Sequence, residues 1–169
     1  EQLKMALARA KAEGFIYGVK IVRGAYMEKE RKRAEAKGYT DPIQPNKAAT
    51  DRDYNAALEL ILSNLEHMAV VVGTHNEASI ELAATLMTKH SIAFDSQRVY
   101  VAQLFGMSDH ISFNAANSGL NVAKYLPFGP VKDVLPYLFR RAEENTAVEG
   151  QTGRELGLLT KELDRRKNA

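Results

Sequence analysis

The sequence predicts an α/β fold in which parallel strands alternate with helices. Four short apolar segments rich in β-forming residues are separated by segments whose apolar residues recur every three to four positions. Each apolar segment ends in glycine or polar residues, which is typical of repeated βα units around a parallel sheet. Two architectures fit, an open doubly wound sheet or part of a (βα)8 barrel. No Gly-x-Gly-x-x-Gly follows any strand, which counts against a dinucleotide fold. A complete barrel needs ~250 residues, so four units would make half of one.

The first unit begins with a helix at residues 2–13 that Gly14 terminates. A strand follows within residues 16–26, and its alternation places Val19 and Ile21 on one face and Lys20 on the other with Val22. An ammonium on a mostly buried strand is costly, so the Lys20 side chain is expected to reach a polar cavity or a partner. A charged helix at 28–37 and a proline-punctuated connection complete this unit.

The remaining elements repeat the pattern. Thr50 or Asp51 is expected to cap a helix that ends near Asn64, and a strand at 69–74 is apolar enough to be buried on both faces. Asn76 then caps a helix to Lys89. The later elements are predicted as strands at 98–104 and 121–126 and helices at 108–116, 131–145 and 154–167.

The composition excludes several classes of function. The chain has 169 residues, of which 45% are hydrophobic, enough for one core and typical of a single domain. A net charge of +2 argues against nucleic acid as a partner. The absence of cysteine excludes disulfides and thiol chemistry, and the four histidines lack metal-ligand spacing. Because the chain starts within a helical pattern, we expect it to be part of a larger fold.

Polar and aromatic residues collect where the predicted strands end. In either architecture this edge of the sheet carries the functional groups. The residues are Lys20, Arg23, Gly24, Ala25, Tyr26, Thr74, His75, Asn76, Gln103, Leu104, Gly106, Tyr125, Pro127 and Gly129. Cations, hydrogen-bond donors, aromatic rings and glycines suit an anionic, partly aromatic ligand better than a metal ion. Plainer interpretations stay open: His75 also fits a structural histidine, Thr74–Asn76 a helix cap, and Tyr125 a core residue.

A pair of arginines stands out on the predicted helix at 131–145. Adjacent residues on a helix point about 100° apart, so Arg140 and Arg141 cannot both lie in the middle of one solvated stripe. One of them lies near the apolar face, where a guanidinium is costly unless it meets an anion. Glu144 on the same helix can supply that anion, and an anionic ligand is the alternative.

Five ordered motifs resemble those of proline dehydrogenase. They are the stretches at 19–26 (VKIVRGAY), 74–76 (THN), 103–107 (QLFGM), 125–129 (YLPFG) and 135–145 (LPYLFRRAEEN). The match runs from about residue 15 to 147 and is closest to the monofunctional, eukaryote-like branch. The resemblance implies a distorted (βα)8 TIM barrel with noncovalent FAD, which oxidises L-proline to Δ1-pyrroline-5-carboxylate and passes electrons to a membrane quinone. Residues 1–169 would then form a single partial domain, with strands five to eight and the final helix.

The same resemblance implies roles for individual residues. Arg140 and Arg141 match the pair that binds the proline carboxylate, Tyr125 packs beside the substrate ring, and Lys20 joins Tyr125 as a catalytic residue. Lys20 stands where many bacterial members have an arginine near the flavin N5, so the charge is kept and the bidentate fork is lost. The implied cofactor-binding residues are Lys20, Val22, Arg23, Gly24, Ala25, Tyr26, Thr74, His75, Asn76, Leu104, Arg141 and Glu144.

One departure from the family pattern outweighs any substitution. The first four strands are absent from this sequence, and with them a substrate-facing lysine, a catalytic-site aspartate and a flavin-contacting glutamine. We therefore expect that the chain alone does not bind FAD tightly and needs the missing N-terminal half or another copy. Hydroxyproline dehydrogenase and a catalytically incompetent half-barrel are the alternatives. The family implies either the bacterial cytoplasm and inner-membrane face or the mitochondrial matrix and inner membrane.

Overall fold

A computed structural model describes residues 1–24, 26–147 and 151–168, with the side chains of residues 142–155 outside the described set. The chain comprises two compact units, Glu1–Tyr125 and Leu126–Ala169. The first unit contains α1 (Gln2–Glu13), β1 (Tyr17–Ile21), α2 (Met27–Lys37), α3 (Lys47–Leu62), β2 (Met68–Gly73), α4 (Glu77–Lys89), β3 (Val99–Leu104), α5 (Asp109–Asn117) and β4 (Val122–Tyr125). The second contains α6 (Val131–Ala147) and α7 (Gln151–Lys167).

The four strands of the first unit form one parallel sheet in the order β1-β2-β3-β4. Successive strands are neighbours, so the order does not reverse as it does at the switch point of a doubly wound sheet. The alternation of strands and helices predicted from the sequence is confirmed as an α/β fold with a parallel sheet.

The two faces of this sheet differ in burial. One face, which includes Val70, Val72, Val99 and Val101, is buried beneath the helices. The opposite face is called here the open face, and its residues follow from the strand register: Lys20, Val71, Gly73, Tyr100, Ala102, Leu104, Ala123 and Tyr125. Most of them are half-buried or exposed. This face is therefore less covered within the chain than the face beneath the helices.

The core lies between the sheet and the helices that pack against it. Its fully buried members include Leu58 and Ile61 of α3, Met68 of β2 and Met87 of α4. Burying such side chains contributes about 1.5–3 kcal/mol each, so this layer holds the strand ends in place. No helix in the described part of the chain is long and apolar enough to cross a membrane.

Three details differ from the sequence predictions. The cap of α3 is Asn46, whose side-chain oxygen accepts a hydrogen bond from the Ala49 N–H at 2.9 Å, so the helix starts earlier than a cap at Thr50 or Asp51 would allow. β2 is not buried on both faces, because its open-face residues are half-buried within this chain. α7 begins at Gln151 rather than at 154.

Candidate active site

The open face brings together three of the predicted site residues. Lys20 lies on β1, whereas Leu104 on β3 and Tyr125 on β4 are register partners. The Lys20 Nζ lies 5.1 Å from the centroid of the Tyr125 ring, which is the distance of a cation–π contact. Lys20 and Tyr125 are both exposed, so the expected partner of the ammonium is an aromatic ring at the surface of this unit.

That contact also describes the shape of the sheet. β1 and β4 are the edge strands and are separated by three strand spacings, or ~14 Å along the sheet. Side chains stand roughly perpendicular to a sheet, so edge strands whose side chains meet indicate curvature toward the open face. The ammonium and the ring therefore face a common concave space.

Gly73 makes room for the stem of Lys20. A Cβ built at Gly73 would lie 2.8 Å from the Val22 Cγ1, 3.0 Å from the Ile21 carbonyl oxygen and 3.2 Å from the Lys20 Cε. The first two distances leave no space for a methyl group unless the end of β1 moves. Glycine is therefore required here for close approach of β1 to β2.

Replacing Gly73 by alanine is expected to destabilise the 169-residue chain by about 1–3 kcal/mol, because overpacking forces the end of β1 to shift. Urea unfolding measures this change. Gly18→Ala is the matched control, since a Cβ at Gly18 of the same sheet meets nothing within 4 Å. Equal stability of the two variants would contradict the steric account.

Arg23 follows β1 and is bonded on the helix-covered side. Its Nη1 donates to the Asp51 Oδ1 at 2.6 Å, and its Nη2 donates to the Thr74 Oγ1 at 2.7 Å and to the Ser79 Oγ at 3.0 Å. The guanidinium also stacks 4.2 Å from the centroid of the Tyr54 ring. One side chain thus links the ends of β1 and β2 to α3 and α4.

Two groups around Arg23 have altered acidity. A hydrogen bond from Lys47, with the nearby Arg23 charge, lowers the pKa of Asp51 below its usual 3.8 despite partial desolvation. Burial raises the pKa of Tyr54 from 10.0 to about 12, although Arg23 opposes the shift. Asp51 is therefore ionised at physiological pH and pairs with the permanent Arg23 charge, whereas burial keeps Tyr54 neutral.

The raised pKa of Tyr54 predicts a loss of stability in alkali. Between pH 9 and 11 the unfolded tyrosine ionises and the buried one does not, so the free energy of unfolding falls by ~1 kcal/mol from this group. Tyr54→Phe should lack that part of the decline in urea unfolding of the 169-residue chain. Tyr39→Phe, at an exposed tyrosine, should decline like the parent. Parallel curves for the Tyr54→Phe variant and the parent would contradict the assignment.

The turn at Thr74–Asn76 connects β2 to α4. The Asn76 N–H donates to the Thr74 Oγ1 at 3.1 Å, and the Asn76 Oδ1 caps α4 by accepting from the Ser79 N–H at 3.2 Å. The predicted cap is thus confirmed. His75 is held through its Nδ1, which lies 2.8 Å from the Ser108 Oγ. The first turn of α4 offers backbone N–H groups toward this edge, and such groups favour anions.

Sequence reasoning missed several residues that hold this edge. Asp51 was considered only as a helix cap, and the buried chain from Ser112 through Gln103 to the Thr74 carbonyl was not foreseen. Ser108 caps α5 in the left-handed conformation with φ of 52°, but its hydroxyl faces His75 instead of the helix. The sequence analysis placed Ser108 inside the helix at 108–116, and no local pattern signals a contact with a residue 33 positions away.

The remaining predicted residues are placed as follows. Val22 and Tyr26 are exposed by 51% and 59%, and Gly24 has a positive φ of 76° that favours glycine. Ala25 lies outside the described residues. The exposed side chains of Val22 and Tyr26 and the uncovered backbone at Gly24 leave room for a planar ligand.

The arginine pair lies on α6 of the second unit. Arg140 is exposed, whereas Arg141 is half-buried and its guanidinium lies 5.4 Å from the centroid of the Tyr137 ring. Arg141 is thus the more buried of the two arginines and lies against an aromatic ring, and the expectation that one of the pair borders the apolar face stays a prediction. The Glu144 side chain lies outside the described residues, so its predicted pairing stays a prediction.

The described edge of the first unit fits a ligand with a planar ring and an anionic tail. The open face supplies apolar contacts and the Lys20 ammonium, and the start of α4 supplies N–H donors. Among the residues that the structure describes, no group of three or more histidine, aspartate or glutamate side chains could hold a metal ion.

Comparisons with known proteins agree with the ordered motifs. The family model described as proline dehydrogenase matches residues 1–154. Proline dehydrogenase 1, mitochondrial, of Caenorhabditis elegans is 45% identical over 162 residues, which are 93% of this chain and 26% of that protein. Hydroxyproline dehydrogenase of Xenopus laevis is 45% identical over 168 residues, which are 97% of this chain and 36% of that protein. The chain thus spans about a quarter to a third of the length of these relatives.

A solved structure has the same arrangement of elements. The proline utilization A protein of Bdellovibrio bacteriovorus, inactivated by N-propargylglycine, matches with a TM-score of 0.80 and 27% identity over 88% of this chain and 15% of that chain. The α/β fold with its parallel sheet is therefore similar to part of that protein.

Proposed function

The chain belongs to the proline dehydrogenase family, and from this premise we propose that the full-length protein oxidises L-proline to Δ1-pyrroline-5-carboxylate with FAD as cofactor. The observation that carries the proposal is the family match over residues 1–154, which includes every strand end of the candidate site. Electrons would pass to a membrane quinone. The protein would then act at the mitochondrial inner membrane or, in a bacterium, at the cytoplasmic face of the inner membrane.

The residues of the first unit suit the two ends of FAD. Lys20 and Leu104, with Val22–Tyr26, would lie along the flavin, and Thr74–Asn76 with the start of α4 would hold the phosphates and ribose. When bound, FAD would take up the two electrons and the hydrogen that leave the δ carbon of proline as the bond between that carbon and nitrogen becomes a double bond. The positive charge of Lys20 would stabilise the negative charge of the reduced flavin.

Arg140 and Arg141 would bind the proline carboxylate, with Tyr125 packing beside the ring. Charge-assisted hydrogen bonds from two guanidiniums orient a carboxylate strongly and so would direct the δ carbon of the proline ring, the carbon that is oxidised, toward the cofactor. Arg141 and Glu144 would in addition border the flavin. In the reaction these residues would bind and orient the substrate.

We further propose that the four strands are strands five to eight of a (βα)8 barrel, with residues 1–169 forming a single partial domain. Successive parallel strands without a reversal and a sheet that curves toward Lys20 and Tyr125 support this. The N-terminal half of the barrel, or a second copy of the chain, would then cover the open face and complete the site.

The experiment uses the full-length protein reconstituted with FAD, L-proline and a soluble quinone as acceptor. Proline-dependent reduction of the quinone, with Δ1-pyrroline-5-carboxylate as product, supports the proposal. FAD-loaded protein that is inert toward proline would reject it.

Hydroxyproline is the rival substrate, because a hydroxyproline dehydrogenase is as similar in sequence as a proline dehydrogenase. The residues proposed for the carboxylate and the ring do not discriminate at the fourth ring carbon. The ratio of kcat/KM for L-proline to that for trans-4-hydroxy-L-proline decides between them, and a ratio below one favours the rival.

The 169-residue chain tests whether these residues suffice alone. We expect it to purify without flavin and to oxidise no proline, as a catalytically incompetent half-barrel would. Stoichiometric flavin absorbance with the purified chain would refute the need for the other half.

A further inference from the structure

The side chain of Arg23 is engaged in a way that the family resemblance does not explain. The side chain is 15% exposed, and both of its terminal nitrogens donate to side-chain oxygens. Nη1 donates to Asp51, and Nη2 donates to both Thr74 and Ser79. Stacking on the Tyr54 ring occupies one plane of the guanidinium. A group so surrounded is directed at its neighbours rather than at a ligand above the strand ends.

The contact with Thr74 reaches further than one bond. The Thr74 Oγ1 accepts from the Arg23 Nη2 at 2.7 Å and also from the backbone N–H of Asn76 at 3.1 Å. The two donors thus meet at one oxygen, so the position of the guanidinium determines where the Asn76 amide is held. On the other side, Gln103 donates to the Thr74 carbonyl at 3.3 Å. Arg23 therefore holds the turn at the Thr74 side chain, and Gln103 holds it at the Thr74 carbonyl.

We propose that Arg23 is a positioning residue that sets the Thr74–Asn76 turn for the phosphate portion of a flavin dinucleotide, without contact between its own side chain and that ligand. The proposal rests on the proposed function and refines the implied role of Arg23 as a cofactor-binding residue. A planar fork is needed because Asp51 and the Thr74–Ser79 pair lie at different nitrogens, and a lysine ammonium cannot reach all three oxygens.

The test is a double-mutant cycle on FAD binding by the full-length protein. Arg23→Lys is the main variant, since its charge still neutralises Asp51, and Thr74→Val removes the shared oxygen. We expect each substitution to raise the Kd for FAD about tenfold, and the double variant to be no weaker than the poorer single one. Effects that multiply would show that Arg23 contacts the ligand independently and would overturn the proposal. A Kd for FAD in the Arg23→Lys variant equal to that of the parent would also overturn the proposal.

Arg98→Met provides the matched control for stability. Arg98 is also an arginine beside this sheet, but it donates to the Leu65 and Glu66 carbonyls at the opposite edge. Its loss should lower the thermal unfolding temperature and leave the Kd for FAD unchanged. If Arg23→Lys behaves in the same way, its role is structural only and the proposal is wrong.

Hydrogen exchange of the FAD-free protein gives a second readout that does not depend on the cofactor. Arg23→Lys should speed exchange of the Asn76 amide, whose acceptor is no longer held, and leave the Val101 amide in β3 protected. Unchanged exchange at Asn76 would overturn the proposal. If the parent protein binds no FAD and Arg23→Lys still speeds exchange of the Asn76 amide, the proposed function would be refuted. The coupling between Arg23 and the turn would stand in that case.

Discussion

Replacing Arg140 by alanine in the full-length protein is expected to raise the KM for L-proline about 100-fold. Arg140 is exposed on α6, beside the half-buried Arg141 that stacks on Tyr137. Removing one partner of a buried, hydrogen-bonded charge pair costs about 2–5 kcal/mol, which corresponds to a factor of roughly 30 or more, so a 100-fold change lies within this range. Steady-state kinetics with saturating quinone measure it.

Two further variants on α6 sharpen this result. Arg140→Lys should have an intermediate KM, because the charge stays and the bidentate fork is lost. Lys132→Ala removes an exposed cation from the same helix and should leave KM within twofold of the parent. A KM for Arg140→Ala equal to that of Lys132→Ala would reject the carboxylate role and favour an internal pair with Glu144.

Replacing Lys20 by methionine is expected to lower kcat about 100-fold with a smaller change in KM. The ammonium lies on the open face, 5.1 Å from the Tyr125 ring, where the proposed cofactor would sit. Loss of one preorganised electrostatic contact typically costs 10²–10³ in kcat. Lys20→Arg keeps the charge and should retain most of the rate.

Lys124 offers the control for Lys20. It precedes Tyr125 in β4 but points to the helix-covered face, where its Nζ donates to the Met107 carbonyl at 2.6 Å and pairs with Asp109 at 2.8 Å. Lys124→Met should lower stability while kcat of the folded enzyme stays near that of the parent. A kcat for Lys20→Met close to the value for Lys124→Met would refute an electrostatic role at the cofactor.

Local patterns predicted the secondary structure well because their causes are local. The stop at Gly14 and the cap at Asn76 depend on backbone conformation and on a side chain within three residues. The main boundary error, at the start of α3, came from assigning Asn46 to the preceding connection and expecting the cap at Thr50 or Asp51. Asn46 is the cap because its extended backbone brings the side-chain oxygen to the Ala49 amide.

The candidate site was predictable as a set of residues but not as a set of contacts. Alternation placed Lys20 opposite Val19 and Ile21, which the register confirms. The partners of Arg23 lie 28 to 56 residues away along the chain, in three different elements. No local pattern reports on such distances, so Asp51, Tyr54 and Ser79 could not be assigned to it.

The sequence by itself determined the parallel α/β fold, the strand ends that carry polar groups and the family to which the chain belongs. These follow from periodicity, from turn residues and from ordered motifs, all of which can be read along the chain. Only the tertiary structure decided that Lys20 meets Tyr125 across the curved open face and that Arg23 faces the helices. The reason is physical: curvature and side-chain direction at a strand end depend on the packing of neighbouring strands and helices, which folding brings together from distant parts of the chain.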